Sequence, residues 1–122
     1  MLKVLNRVHS HTYEIKIYCG LRHGYSKTEP LHDIEEVKSI CQGYCDRNGF
    51  CVTVNPTEFI YTDGFEPGAI IGIINYPRFP KGIGELDTRA LELAEILLNE
   101  MNQERVSVVT PRETIMLENI YE

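Results

Sequence analysis

Three arginines stand where the chain is expected to leave a strand. Arg22 lies in GLRHGYS beside Tyr25, and Arg112 lies in VTPRET between Thr110 and Thr114. Arg78 lies in NYPRFP, held between two prolines, with Asn75, Tyr76 and Phe79 next to it. A guanidinium fork matches the oxygens of a phosphate or carboxylate, hydroxyls add uncharged donors, and aromatic rings stack on bases. Prolines on both sides of Arg78 and Phe79 orient the cation and the ring before any ligand arrives, which lowers the ordering cost of binding. Arg22, Tyr25, Asn75, Tyr76, Arg78, Phe79, Thr110, Arg112 and Thr114 are therefore the candidate ligand-binding residues. The plain alternative is that each loop arginine pairs with a surface carboxylate and that Tyr76 and Phe79 cap the core.

These residues need elements to hold them. Tyr13, Ile15, Ile17 and Cys19 alternate with Glu14, Lys16 and Tyr18, which predicts a half-buried strand. HDIEEVKSICQGYCDRNGF follows, with Ile34, Val37, Cys41, Tyr44 and Cys45 at helical spacing. Asp33 with Glu36 is a capping-box pattern, and Asn48-Gly49 supplies the stop. FCVTVNPTEFIYTDG and the apolar run AIIGIINY predict a hairpin, whose second strand is buried on both faces or at an interface. Asp63 and Glu66 fall at its turn and are assigned to turn chemistry rather than to acid catalysis. A second helix is expected near Gly84 to Asn102, with Leu86, Ala90, Leu91, Ala94, Leu97, Leu98 and Met101 on its apolar face. RVSVV and ETIMLENI are the last strands.

The order is β-α-β-β-α-β with an extra C-terminal strand. The expected fold class is α+β, a two-layer sandwich of a mostly antiparallel, ferredoxin-like sheet with two helices on one face. All 122 residues are assigned to one ligand-binding domain, with 1–11 as a loosely ordered N-terminal segment. The uncovered sheet face and the apolar strand from Ala69 to Tyr76 point to a homodimer or higher homo-oligomer.

Charge and composition narrow the partners. A net charge of -6 argues against duplex nucleic acid, whose binding needs many basic contacts, but leaves room for a small anion in a local cluster of arginines. No apolar run is long enough to span a membrane, and no signal peptide or polybasic stretch is visible, so a cytoplasmic location is expected. Cys19, Cys41, Cys45 and Cys51 are then expected to be reduced. Cys41 and Cys45 fall on the apolar stripe of their helix, where a free thiol behaves as a small hydrophobe. Their spacing is not that of a zinc site, and His9-Ser10-His11 is explained by alternation alone. No metal is expected.

Signatures of catalysis are missing. The chain holds no G-x-S-x-G, no H-E-x-x-H, no phosphate-binding Walker loop and no G-x-G-x-x-G, so neither an enzyme nor a cofactor is expected.

YCGLRHGYS, CVTVNPTEFIYTDGFEPGAIIGIINYPRFP and RVSVVTPRETIMLEN together resemble a group of short phage-encoded proteins with the same order of segments, over nearly all of the chain after residue 12. The resemblance is to the type 1 Thoeris anti-defence family. It implies an oligomeric protein that captures cyclic ADP-ribose signals without cleaving them, some members also taking cyclic oligonucleotides. A purine, two riboses and a pyrophosphate would suit the rings, hydroxyls and arginines above. Two other functions remain open. One is a small oligomeric enzyme acting on a phosphorylated or carboxylated metabolite, with His23 or Cys19 as acid or base. The other is an assembly protein without a small ligand, in which Arg22, Arg78 and Arg112 are far apart or salt-bridged.

Overall fold

The protein is described by a computed structural model, over residues 3–120. Alternation sets β1 (Glu14–Gly20): Ile15, Ile17 and Cys19 are fully buried on one side, and Glu14 and Lys16 are exposed on the other. The helix α1 (Ile34–Asn48) begins at Asp33, whose carboxylate accepts from Glu36 N–H while the Glu36 carboxylate accepts from Asp33 N–H. It ends where Gly49 takes the left-handed conformation at φ 59°, and Phe50 N–H reaches the Cys45 carbonyl at 3.2 Å.

β2 (Thr53–Tyr61) and β3 (Gly64–Ile74) form a hairpin closed by the Tyr61–Gly64 pair, with Asp63 left-handed at φ 60°. The turn is thus shorter than the sequence suggested. Glu66 lies inside β3, not in the turn. The helix α2 (Ile83–Glu100) buries Leu86, Ala90, Leu93, Ala94, Leu97 and Leu98. β4 (Arg105–Val109) and β5 (Thr114–Glu118) complete the chain.

The sheet is antiparallel throughout, in the order β2-β3-β1-β4-β5. Its first four strands have the ferredoxin-like arrangement, and β5 extends that sheet at one edge. Ile15, Ile17, Ile71, Ile73, Val106 and Val108 from the sheet meet Val37, Leu86, Leu93 and Leu97 from the helices in one core. Each large aliphatic side chain buried there contributes roughly 1.5–3 kcal/mol.

The apolar run of β3 is covered on one side only. Ala69, Ile71 and Ile73 are fully buried under the helices, whereas Ile74 is 43% exposed. On the open face, β3 carries glycines that neighbours roof over. The Phe59 ring occupies the space a side chain at Gly68 would need, and the Thr53 hydroxyl does the same at Gly72. No described helix is long and apolar enough to cross a membrane.

Candidate functional site

On the sheet face turned away from the helices, alternation brings Tyr18, Gly20, Phe59, Glu66, Arg105 and Ser107 to one side. Tyr18 pairs with Ser107, Phe59 with Glu66, and Gly20 with Gly68. Together with Gly24, Tyr25, Gln103 and Glu104 they line a polar recess of about 170 Å³. The Tyr18 and Phe59 rings lie 6.4 Å apart at 53°, forming an aromatic wall.

Glu66 and Glu104 are both partly buried carboxylates of this recess. Arg22 Nε lies 3.6 Å from Glu66 Oε2, and Arg22 Nη2 donates to the Phe65 carbonyl at 3.0 Å. Burial pushes the Glu66 carboxyl above the ordinary glutamate value, and the Arg22 charge partly opposes that rise. Across the recess, Arg105 donates to the Tyr25 hydroxyl, its guanidinium is 5.8 Å from the Tyr25 ring centroid, and Nη2 pairs with Glu118 at 3.0 Å. Arg22 itself lines a neighbouring, shallower depression of about 510 Å³, with Lys27, Glu58, Tyr61 and Phe65.

The loop after β1 carries Arg22 and Tyr25, and polar contacts fasten it. Leu21 N–H donates to Pro67 O at 3.1 Å, Gly24 N–H to Asn102 O at 2.6 Å, and His32 N–H to Leu21 O at 2.8 Å. Gly24 takes φ 56°, a conformation open to glycine at little cost. The His23 and His32 rings stack at 4.0 Å. His32 is held by Glu36 at 2.6 Å and Asn102 at 2.9 Å, and His23 by Glu29 at 3.2 Å. These contacts make His23 a fastening of the loop. Cys19, its alternative as an acid or base, is buried in the core, and burial pushes its thiol up to about 12.

The other expected site residues lie elsewhere. The β1–β3 ladder runs from Gly20–Gly68 to Glu14–Ile74, so Arg22 and Arg78 leave its opposite ends, on the order of 20 Å apart. Arg78 stacks on the neighbouring Phe79 ring at 5.3 Å, giving a cation and ring in contact as the prolines suggested. Phe79 and Tyr76 line an apolar cavity of about 310 Å³ with Phe50, Cys51, Lys81 and Leu86. The Tyr76 hydroxyl is pushed up, first by its hydrogen bond to Cys51 and then by burial.

Asn75 is buried, and its side-chain amide both donates and accepts. It donates to His11 O at 3.0 Å and accepts from Lys81 N–H at 2.9 Å, while its backbone carbonyl accepts from Ser10 Oγ at 2.6 Å. Thr110 Oγ1 accepts from Arg112 and Glu113 N–H, each at 3.1 Å, capping the turn. Arg112 bonds Asp87, which also accepts from Tyr13 OH at 2.7 Å. Thr114 is exposed at the start of β5. Within one chain, Arg22 is therefore not brought together with Arg78 and Arg112.

Two solved structures share this fold. A phage SAM lyase in complex with S-methyl-5'-thioadenosine matches 98% of this chain and 100% of its own, with 18% identity and a TM-score of 0.78. A phage SAM lyase in the apo state matches 98% of this chain and 99% of its own, with 17% identity and a TM-score of 0.80. No protein-family description matches the sequence, and no curated protein does.

These matches correct two expectations. The chain was expected to be a sponge that captures a cyclic nucleotide signal unchanged, and not an enzyme. The solved proteins with its fold are lyases, which cleave what they bind, so the sponge and the non-enzyme assignments are withdrawn. The likeness to phage proteins stands at the level of fold, while the Thoeris link and cyclic ADP-ribose gain no support from it. Sequence reasoning missed Glu66, Gln103 and Arg105. Only Glu66 left a signal: its place two residues before Gly68 on the glycine-bearing side of β3.

Proposed function

We propose that this protein is a lyase that splits S-adenosylmethionine (SAM) into S-methyl-5'-thioadenosine and a four-carbon amino-acid product. The observation that carries the reading is the recess around Glu66, on a fold shared over its whole length with phage SAM lyases. SAM combines an adenine ring, a sulfonium cation, an ammonium and a carboxylate. Tyr18, Tyr25 and Phe59 offer rings for the base and for the sulfonium, whose positive charge is attracted to aromatic faces. Arg22 offers a fork for the carboxylate, and Glu66 a negative charge for the cationic part.

The chemistry needs no co-reactant. One oxygen of the substrate carboxylate attacks Cγ of the same molecule, the Cγ–S bond breaks, and sulfur keeps the bonding pair. The products are homoserine lactone and the neutral thioether nucleoside. Closing a five-membered ring within one bound substrate gains the high effective concentration of a near-attack arrangement. Opposite charges disappear as the bond breaks, so a pocket closed to water over the Tyr18, Tyr25 and Phe59 rings would favour the reaction over bulk solvent. Arg22 would hold one carboxylate oxygen and leave the other to attack. The competing route, in which Glu66 removes a Cβ proton, asks a carboxylate to deprotonate an unactivated carbon and is disfavoured.

A recess of 170 Å³ holds only part of such a substrate, since small-molecule sites usually measure about 300–1,000 Å³. A second copy of the chain over the open sheet face, as expected from the sequence, would complete the pocket. In an infected cell, destroying the methyl donor would be an anti-defence role by consumption rather than capture.

Proton NMR of the reaction mixture tests the chemistry. Homoserine lactone appearing with the thioether nucleoside supports it, vinylglycine would replace carboxylate attack by elimination, and unaltered SAM would refute the lyase assignment.

A further inference from the structure

Gly20 is the position in β1 where the open face carries no side chain. A Cβ placed there would lie 2.7 Å from Gln103 Oε1 and 3.5 Å from Glu66 Oε2. Two acceptor oxygens, one neutral and one anionic, thus converge on a single notch that a larger residue would fill.

Gln103 is built to present that oxygen. The residue is only 5% exposed. Its Nε2 donates to the Arg22 carbonyl at 2.6 Å and to the Met101 carbonyl at 2.8 Å, which occupies both amide hydrogens and fixes the orientation of the group. Oε1 is left facing the recess, and no donor among the described residues reaches it. A buried amide whose donors are satisfied and whose acceptor points into a cavity is a reader of N–H groups.

We propose that Gln103 and Glu66 over Gly20 form an ammonium subsite, which receives the α-ammonium of SAM and makes Gln103 a specificity-determining residue. The inference rests on the lyase reading and names what its recess selects. An ammonium carries three donors and one positive charge. Glu66 supplies the countercharge, and Gln103 supplies a second acceptor without adding a second negative charge beside Glu66. Arg22, 3.6 Å from Glu66, lines the adjoining depression, so a carboxylate on the same substrate carbon that reached it there would let the notch and the guanidinium together read an amino acid. A ligand without the ammonium leaves the buried Gln103 Oε1 without a donor, and sites of this kind discriminate strongly against the missing group.

Calorimetry on the wild-type protein with S-adenosylhomocysteine, its deamino analogue and S-methyl-5'-thioadenosine tests this, because none of the three carries a sulfonium to be cleaved. S-adenosylhomocysteine is expected to bind roughly a hundredfold more tightly than the deamino analogue. Gln103→Leu is expected to shrink that difference, the Glu66 charge remaining, while still binding S-methyl-5'-thioadenosine, which shows that the variant is folded. Equal affinities for the amino and deamino ligands in the wild type, with the thioether nucleoside still bound, would overturn the ammonium subsite and leave the lyase reading in place. A full amino–deamino difference in Gln103→Leu would likewise overturn the role of Gln103. Failure of the wild type to bind either S-methyl-5'-thioadenosine or SAM would overturn both.

Discussion

Arg22 and Glu66 are joined twice: the guanidinium faces the carboxylate at 3.6 Å and also donates to the carbonyl of Phe65, the residue before it. The loop after β1 is thereby tied to the strand that carries the carboxylate. The charge balance of the recess and the position of its loop depend on the same side chain. Because both residues are partly exposed, the ion pair itself contributes little to stability, on the order of 1 kcal/mol or less.

Replacing Glu66 should separate activity from stability. Burial raises its folded-state carboxyl above the ordinary value of 4.5, so keeping it charged opposes folding at neutral pH. That penalty is relieved as pH falls through the raised folded value and is absent below 4.5, where the folded and unfolded groups are both protonated. Glu66→Gln is expected to melt at or slightly above the wild-type temperature at pH 7.5 and to lose that advantage at pH 4. SAM turnover should fall on the order of a hundredfold or more, as when a charged partner is removed from a catalytic site. A variant that melts well below wild type at pH 7.5 would contradict the assignment.

Asn75 should behave in the opposite way. Its side-chain amide fastens His11 and the turn before α2 to the end of β3. Asn75→Ala leaves the His11 carbonyl and the Lys81 N–H without their partner, and should cost about 1–3 kcal/mol in denaturant unfolding. Ligand affinity per folded molecule should change much less than for Glu66→Gln.

The thiols should divide by depth. Burial pushes Cys19 and Cys41 up to about 12, while Cys51 is exposed. At pH 8 a thiol reagent is expected to modify Cys51 within minutes and to leave Cys19 and Cys41 untouched until the protein is unfolded. Peptide mass mapping after timed labelling reads the order directly. Rapid labelling of Cys19 in the native protein would be incompatible with its place beneath the sheet.

The core offers a calibration. Leu97 is fully buried on α2 against the sheet, so Leu97→Ala should cost about 2–5 kcal/mol, measured as a fall in the denaturant midpoint.

Local signals in this chain carried the architecture further than the site. The Asp33–Glu36 capping pattern, the Gly49 stop and the period-two runs of β1 and β4 each report a backbone preference, and all reappear in the structure. Strand order followed from β-α-β-β-α-β, since a short hairpin and two helices on one face leave few antiparallel arrangements. Glu66 was misplaced because Pro67-Gly68 looks like a turn, whereas the chain turns at 62–63 and both residues continue the strand. Gln103 carries no motif at all, and its role depends on a fold that sets the end of α2 beside β1. The three strand-exit arginines are spread over both ends of the sheet for a related reason: strand exits in an antiparallel sheet alternate between its ends. Asn75 drew attention as a polar residue in a proline loop, but polarity does not reveal whether backbone partners already satisfy it.

Turnover of SAM by the purified wild-type chain is the most direct measurement of what this protein does. The mixture should be followed by liquid chromatography and mass spectrometry, with Glu66→Gln in parallel. Time-dependent loss of SAM, matched by S-methyl-5'-thioadenosine and largely absent with Glu66→Gln, is the expected result. SAM recovered intact after prolonged incubation with folded wild-type protein, or equal turnover by the variant, would contradict a lyase site built around Glu66.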